Sequence, residues 1–471
     1  MDLLISKYEY LEEKILRSLK SNGIEHRPRA SSGLWVGVLV GLCAVLTFMR
    51  EDSSYSEICL VTGVTGFGLL ISCVCLYLSL SMEKIAVKDF QVVYFIPAII
   101  TSMLYLLIVN KGLILSVIWG VSIGSLSTWG VLQLMSTFPR CFTIGEATAV
   151  MHGFILFLIS ALTNLPLRYH LPPIHDSDIA TVLLQVGILS VTTICLFCVY
   201  LPIFQIPKYF YHLTLALLLF VSFPLLYVIL DQNPITWMFV FIFSSTSKIR
   251  LFIYWAVCLL MSAIIIMYLI FSNTQATTST RKYFHLLIVF VYVPGIVYEP
   301  FLLYLASGAI MALFVLLELM RFLRVPLIGE ILQQGFSALV DEKDSTISLT
   351  PLYLLTGLSF PLWMPTNNVP LVALLSGVLT IGIGDTSASF VGSKWGIHKW
   401  PGSEKSVEGT LACILSQVGV ICLLVYLGYV DSGWLFLRSL LASVAVSFIE
   451  ARTNQIDNLA LPLLMYACLI T

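Results

Sequence analysis

Charged side chains are scarce in this sequence. Of its 471 residues only 11% are Asp, Glu, Lys or Arg, whereas 58% are hydrophobic and the mean hydropathy is +0.95. Soluble domains carry about 25% charged residues, so a chain this poor in charge cannot cover a water-facing surface. The composition therefore excludes an ordinary soluble protein and indicates that lipid surrounds most of the chain.

The sequence also lacks an excess of basic residues and any regular apolar/polar alternation. Its formal net charge of −1 excludes the concentrated basic face that is typical of nucleic-acid-binding proteins. The alternation expected of membrane-spanning strands is missing, whereas apolar runs of about 20 residues, the length of a spanning helix, recur along the chain. We predict an all-α, polytopic integral membrane protein with about 13 to 15 transmembrane helices.

The first segment, residues 1–32, lacks the apolar stretch of a signal peptide. Carboxylates and bases are mixed there with Leu and Ile at helical spacing. This pattern predicts an amphipathic helix on the membrane surface or, equally, a solvated helix. Basic residues precede the first apolar run and, by the positive-inside rule, favour a cytoplasmic N-terminus. They are Lys14, Arg17, Lys20, Arg27 and Arg29.

Residues 33–272 are predicted to form a set of N-terminal transmembrane helices with few residues capable of chemistry. The exception is the segment 143–149, in which Glu146 opens an apolar run. A carboxylate at this place fits a helix N-terminus, where the helix dipole favours negative charge, and it fits a substrate site equally well. A similar spacing of Gly, acid and Ala returns at 384–388, as in a duplicated unit.

From residue 281 to 471, ionisable residues cluster at the ends of apolar runs. A charge at membrane depth is costly unless it faces a cavity or a partner. Arg281, Lys282 and His285 begin this region, and these bases either bind phosphate oxygens or anchor a helix at the interface. Glu318 and Arg321, which share a helix face, form either a structural ion pair or a functional pair beside a polar cavity.

Asp385 is the strongest candidate for metal binding. It lies among glycines and hydroxyl residues at the end of an apolar run. Small residues let backbones or a ligand approach closely, and a carboxylate in such a place is the kind of oxygen ligand that Mg²⁺ accepts beside phosphates. The small residues alone are common in membrane helix packing, so the prediction depends on Asp385.

A polar loop follows at 393–408, too rich in turn formers to cross a membrane. It contains Lys394, Lys399 and Lys405, and a helix is predicted to begin near Ser406. A lysine and a glycine-containing turn before a helix N-terminus are a sound site for a polyphosphate. The spacing of a Walker A loop is missing, and no strand precedes the Gly-x-Gly at 382–384 as a dinucleotide fingerprint requires. Cytoplasmic anchoring is the alternative for Lys394 and Lys399.

The last cluster is carried by Glu450, Asn454 and Asp457, which fall on one face of a helix by periodicity. Two carboxylates and an amide on one face are suited to hold a metal ion or to accept a proton. An ordinary helix terminus before the next apolar run is the alternative, and it leaves Glu450 unexplained. Asp385 and Asp457 are therefore the predicted metal ligands.

Taken in order, several of these motifs resemble those of dolichol kinases. They are Arg281-Lys282-Tyr283-Phe284-His285, Glu318 with Arg321, Gly384-Asp385 with Ser389, Trp400-Pro401-Gly402 with Lys405, Glu408-Gly409-Thr410, and Gln455-Ile456-Asp457-Asn458. The resemblance covers 281–471, and the segment 143–149 is also similar to a dolichol-kinase segment. It implies a multi-pass enzyme of the endoplasmic reticulum membrane that transfers the γ-phosphoryl group of CTP, with a divalent cation such as Mg²⁺, to dolichol for protein glycosylation.

The resemblance also implies a CTP site on the cytoplasmic side, built from the 393–408 loop and from bases elsewhere. The predicted CTP-binding residues are Ser393, Lys394, Gly396, Lys399, Gly402, Lys405, Ser406, Glu408, Arg281, Lys282 and Arg321; the predicted catalytic residues are Asp385, Lys405, Asp457, Glu450 and His285. Glu404 departs from the family pattern, because a second base is more usual beside Lys405.

Two other functions remain open from the sequence. A membrane cytidylyltransferase has related motifs but attacks the α-phosphate of CTP. A secondary transporter would place Glu146, Glu318, Asp385 and Glu450 along a solute pathway. The lysine-containing loop at 393–408 favours an enzyme, since a solute pathway requires no such loop.

Overall fold

A computed structural model describes residues 2–50, 57–82, 95–271, 278–326, 329–333, 346–366, 369–431 and 433–471. Within these ranges the chain is helical and has no strand; an isolated bridge between Lys399 and Ser406 is the one β-type pairing described. The helices of the first part are α1 Asp2–Ser21, α2 Leu34–Arg50, α3 Glu57–Ser81, α4 Phe95–Leu107, α5 Leu113–Val121, α6 Ser127–Thr137, α7 Ile144–His170, α8 Asp176–Tyr200, α9 Pro207–Leu217, α10 Phe223–Leu230, α11 Pro234–Phe243, α12 Thr246–Phe271, α13 Thr278–Tyr298 and α14 Pro300–Phe322.

The second part carries the predicted site. Its helices are α15 Thr350–Trp363, α16 Leu371–Leu374, α17 Thr386–Trp395, α18 Val407–Tyr426, α19 Trp434–Arg452 and α20 Asp457–Ile470. Short π-helices join α5 to α6 and α9 to α10, and a longer one, Val378–Asp385, precedes α17. The apolar run at 369–391, expected as one span, is therefore divided into three helical pieces.

The all-α membrane architecture is confirmed. Among the described residues, nine helices are long and apolar enough to cross a membrane, and five shorter apolar helices accompany them. The short helix α11 was not predicted, because its ten residues fall well below the length of about 20 that a span requires.

The N-terminal segment forms a helix, as expected. Ile15 and Leu19 on one face of α1 are buried, whereas the Glu13–Arg17 pair on the other face is exposed. The chain then runs from Gly23 to Gly33 across the start of α7. Arg27 in this stretch was predicted only as one of the bases that favour a cytoplasmic N-terminus, and its burial was not foreseen. Its side chain is 5% exposed and forms an ion pair with Glu146.

The C-terminal helix α20 lies at the centre of the main core. Leu461, Met465 and Leu469 are each at most 1% exposed, and α20 packs against α2, α15 and α19. Tyr466 Oη lies 2.9 Å from Thr47 Oγ1 of α2. Helices from both predicted regions therefore share one core, and this core fixes the start of α20, where Asp457 lies.

Candidate active site

The π-helix Val378–Asp385 carries Asp385 at its end. π-helices are rare and are frequently found at functional sites. Its glycines permit close approach of the neighbouring helices, since a Cβ on Gly382 would lie 2.3 Å from Val289 Cγ2, and one on Gly384 would lie 2.5 Å from Gln417 Nε2. Glycine at these two places thus allows Asp385 to lie between α13 and α18.

Two bases of α13 face Asp385. Lys282 Nζ forms an ion pair with Asp385 Oδ2, and His285 Nδ1 lies 3.3 Å from the same oxygen. Lys282 and His285 are three residues apart and therefore lie on one face of the helix. The Asp385 side chain is 11% exposed. A buried carboxylate is costly unless it is paired, and α13 provides the pairing.

The other two predicted acids lie on either side of a four-residue connection. Glu450 is in the last turn of α19, Asp457 is the first residue of α20, and residues 453–456 join them. Because the connection is short, it brings the end of one helix next to the start of the next. Glu450 is 4% exposed, and both acids face Lys405.

Lys405 links the polar loop to these acids. Its Nζ lies 2.6 Å from Glu450 Oε1, 2.6 Å from the Glu450 carbonyl oxygen and 3.5 Å from Asp457 Oδ2. Burial alone lowers the pKa of the Lys405 ammonium, but the carboxylates of Asp457 and Glu450 outweigh it and raise the pKa above its ordinary value. Lys405 is therefore positively charged at neutral pH.

Asp385, Glu450 and Asp457 form one group, which we call the acidic cluster. One oxygen from each carboxylate lies within 4.8 Å of the oxygens of the other two. Ligands on one octahedral Mg²⁺, each about 2.0–2.1 Å from it, lie about 3 Å apart when cis and about 4.2 Å apart when trans. Side-chain movements on the order of 1 Å would therefore let all three share an ion. Oxygen ligands are also the type that Mg²⁺ prefers, so these residues fit a divalent cation.

Three carboxylates in the cluster face the lysines Lys282 and Lys405 and the ring of His285. Like charges held together in a buried place repel strongly, and positive charge beside them relieves the repulsion. A divalent cation at the cluster would supply such charge.

The loop before α18 is compact. Val407 N donates to the His398 carbonyl at 2.8 Å, and Trp400 N donates to the Lys405 carbonyl at 3.0 Å. Gly402 makes the reversal with a φ of +74°, a left-handed conformation that favours glycine. Trp400 Nε1 donates to Thr410 Oγ1 at 2.9 Å, which fixes the loop to α18. These contacts hold the backbone that carries Lys405.

The remaining loop residues predicted to bind CTP lie outside the acidic cluster. Ser406 is the N-cap of α18, because its Oγ accepts from Gly409 N at 3.1 Å. Lys399 Nζ donates to the Glu404 carbonyl at 2.7 Å, and the Glu408 carboxylate accepts from His398 Nδ1 at 2.6 Å. Ser393 and Lys394 at the end of α17 are exposed, and so is Gly402 in the loop. Gly396 packs against Ser406. Their part in CTP binding stays a prediction.

Two predicted bases from other helices have different positions. Arg321 forms an ion pair with Glu318, with 2.6 Å between Nη2 and Oε1, and it donates to the Thr346 carbonyl at 3.0 Å. Glu318 in turn accepts from Ser348 N at 2.7 Å. This arrangement fits the structural alternative for the pair and anchors the chain before α15. The side chain of Arg281 lies outside the described residues.

Sequence analysis missed a row of polar side chains next to Asp385. Gln417 Nε2 donates to Ser447 Oγ at 3.2 Å, and Cys413 Sγ lies 3.2 Å from both groups. All three are buried. A glutamine inside an apolar helix is the signal that could have indicated them, since buried polar groups in a membrane helix require partners.

The chain was compared with known proteins. The family model described as dolichol kinase matches residues 131–353. The human dolichol kinase is 33% identical over 362 residues, which is 72% of this chain and 66% of that enzyme. Dolichol kinase EVAN of Arabidopsis thaliana is 30% identical over 482 residues, covering 93% of this chain and 80% of that enzyme.

A yeast relative is more distant. The dolichol kinase of Saccharomyces cerevisiae is 29% identical over 244 residues, half of this chain and 45% of that protein. The chain spans 66% of the length of the mammalian relatives that it matches. No solved structure matches it. The similarity to the plant enzyme extends over 93% of the chain. This chain belongs to the dolichol kinase family.

Proposed function

We propose that this chain transfers the γ-phosphoryl group of CTP to the hydroxyl of dolichol and releases dolichyl phosphate and CDP. Family membership supports a lipid-alcohol kinase. The observation that carries the proposal is the meeting of three carboxylates with Lys282 and Lys405 at one place. Such a group is suited to a metal-bound triphosphate, because acids hold the cation and lysines face the phosphate oxygens.

The position of the cluster fits a lipid substrate. Asp457 begins α20, Glu450 ends α19, and Lys405 precedes the first residue of α18 by two positions. Ends of membrane helices lie near the boundary between lipid and water. A water-soluble nucleotide and the hydroxyl of a membrane-embedded alcohol can meet only at such a boundary. We place the CTP site on the cytoplasmic side of the endoplasmic reticulum membrane.

Asp385, Glu450 and Asp457 would hold the divalent cation. When bound, Mg²⁺ neutralises charge on the phosphates and orients them. Lys282 and Lys405 donate hydrogen bonds to phosphate oxygens and stabilise the negative charge there as the γ-phosphoryl group is transferred. Phosphoryl transfer depends mainly on such positioning and electrostatic stabilisation.

The bond changes are simple. The dolichol oxygen forms a bond to the γ-phosphorus, and the bond from that phosphorus to the bridging oxygen of CDP breaks. The proton of the dolichol hydroxyl passes to a carboxylate, either Asp457 or Glu450. His285, next to Asp385, or Arg281 contacts phosphate oxygens. The loop at 393–408 binds the rest of the nucleotide.

The position of the label in the lipid product tests this function. Purified protein in lipid nanodiscs is incubated with dolichol, Mg²⁺ and CTP labelled at either the α or the γ phosphate. Label in the lipid from γ-labelled CTP alone is the expected result. Lipid label from α-labelled CTP identifies a cytidylyltransferase, and solute movement without CTP consumption identifies a transporter; either result rejects the proposal.

Variants connect this activity to the site. Asp385→Asn should reduce transfer of the γ label by roughly 100-fold. Asp178→Asn is the matched control, because Asp178 is a partly buried carboxylate paired with Arg168 at 2.9 Å. Arg168 lies in the last turn of α7. We expect the control to keep normal turnover. Other nucleoside triphosphates and shorter isoprenoid alcohols, tested in the same assay, establish how strictly each substrate is selected.

A further inference from the structure

Glu146 lies at the start of α7 and is 1% exposed. It forms a capping box with Thr143: Glu146 N donates to Thr143 Oγ1 at 3.2 Å, and Thr143 N donates to Glu146 Oε2 at 3.0 Å. A glutamine serves this purpose as well as a glutamate. The capping box therefore accounts for the contact of Glu146 Oε2. It does not explain why a charged residue is buried at this position.

The other oxygen of Glu146 reaches the connection between α19 and α20. Glu146 Oε1 accepts from Arg27 Nη2 at 2.5 Å and from Ile456 N at 3.0 Å. Arg27 Nη2 also donates to the Asn454 carbonyl at 3.2 Å. The ion pair thus contacts the backbone of the 453–456 connection at two points, although Arg27 and Glu146 are 119 residues apart in sequence.

Gln455, between these two points, is fixed as well. Its Oε1 accepts from Thr143 Oγ1 at 2.7 Å, and its Nε2 donates to the Ser31 carbonyl at 3.0 Å. Gly33 adopts a φ of +68°, and a Cβ there would lie 2.2 Å from Gln455 Oε1. A Cβ on Gly145 would lie 1.7 Å from the Gly33 carbonyl oxygen. Two separate segments, 27–33 and 143–146, therefore pack around the connection without space for a methyl group.

The connection determines where two acids of the cluster lie. Glu450 is three residues before Thr453, the first residue of the connection, and Asp457 directly follows Ile456, its last residue. A shift of the connection would move Asp457 relative to Asp385, which is held by a different helix. Three protein N–H groups donate hydrogen bonds to the two Glu146 oxygens, so both oxygens already have protein partners. This argues against direct contact between Glu146 and substrate.

We propose that Glu146 and Arg27 are positioning residues, which act through the 453–456 connection to hold Asp457 and Glu450 in the geometry of the acidic cluster. The inference rests on the proposed function, because it assigns the cluster to catalysis. Loss of a group that orients a metal ligand typically lowers metal affinity or activity 10- to 100-fold. A residue that only stabilises the fold would leave both unchanged in the folded protein.

Glu146→Gln tests the inference, since it keeps the shape of the side chain and removes the charge. Arg27→Met with Glu146→Gln is the second variant. It avoids a buried unpaired charge and remains informative if the single variant does not fold. Asp178→Asn again serves as the control, because its ion pair is at the opposite end of α7, about 33 Å from Glu146 at 1.5 Å per residue.

Two measurements are made on the full-length protein in nanodiscs, at a temperature at which every variant is folded. Hydrogen exchange of the peptide that includes Ile456 is measured without CTP or dolichol, and kcat is measured against Mg²⁺ concentration. We expect exchange in 453–457 to be about tenfold faster in both variants, with half-saturating Mg²⁺ raised about tenfold and kcat reduced. The control should match the wild type.

Unchanged exchange in 453–457, or half-saturating Mg²⁺ within about twofold of wild type, overturns the inference even if the melting temperature falls. The exchange comparison requires no turnover. If the wild type transfers no γ label from CTP, the proposed function fails while the exchange result still decides the structural part of the inference. The two failures are therefore distinguishable.

Discussion

Replacing Asp385 with Asn would test the role of the acidic cluster most directly. Asparagine keeps the size of the side chain and removes one of three negative charges that lie within 4.8 Å of one another. Two unit charges about 4 Å apart interact by about 4 kcal/mol at an effective dielectric constant of 20. A loss of about 3 kcal/mol in stabilisation of the bound cation corresponds to roughly a 100-fold loss of kcat/KM.

The same substitution removes the carboxylate partner of Lys282, whose side chain is 20% exposed and pairs with Asp385. Removing one partner of a buried ion pair destabilises a protein, whereas replacing both partners is often neutral. We therefore expect Asp385→Asn to lower the melting temperature and the double variant Lys282→Met with Asp385→Asn to recover it. The double variant should stay inactive, because the cluster still lacks its third carboxylate.

The assay is transfer of the γ phosphate from labelled CTP to dolichol in nanodiscs, with thermal unfolding measured on the same samples. Turnover of the folded Asp385→Asn protein within about threefold of wild type contradicts the reasoning, because so small a change corresponds to about 0.7 kcal/mol. Recovered turnover in the double variant would also contradict it. That result would mean that the unpaired Lys282 side chain, and not the loss of the Asp385 carboxylate, had prevented transfer.

Three further outcomes are expected. Chelation of divalent cations should abolish transfer and Mg²⁺ should restore it; transfer that persists in excess chelator argues against the acidic cluster as a cation site. Lys405→Met should reduce kcat/KM by about 100-fold, because it removes the charge 2.6 Å from Glu450 Oε1. Lys405→Arg keeps the charge and should retain part of the wild-type kcat/KM. Equal rates for the two variants would exclude a role for the charge. Gly384→Ala should lower both the melting temperature and turnover, since the new Cβ would lie 2.5 Å from Gln417 Nε2, and an unaltered melting temperature would show that α18 can move away.

The membrane helices could be predicted because their cause is local. A span must satisfy its own backbone hydrogen bonds and bury about 20 apolar residues, and both requirements can be read from a short stretch of sequence. The short helix α11 was missed for the same reason, because its length is below that limit. The run at 369–391 shows a second limit: average hydropathy contains no information on a π-helical hydrogen-bond register such as that of Val378–Asp385.

The acidic cluster was predicted in part. Asp385 and Asp457 were predicted as metal ligands and Lys405 as a catalytic residue, and the structure brings the three together. The direct partner of each was not predictable. Lys282 was expected to contact phosphate, whereas its described partner is Asp385, 103 residues away. Pairings of this kind are decided by how helices pack, and the spacing of residues along one helix does not encode them.

Arg27 shows why the N-terminal helices matter to a site whose acids and lysines all lie in 281–471. The positive-inside rule treats every base before a span alike, yet Arg27 is buried and contacts Glu146 and the Asn454 carbonyl. On α2, Cys43 and Thr47 bond to α20, so the helix that begins with Asp457 is fixed by the N-terminal region at both its start and its middle. A C-terminal fragment would keep every motif but lose these contacts. The chemistry is therefore concentrated in 281–471, while the precision of its geometry depends on the N-terminal helices.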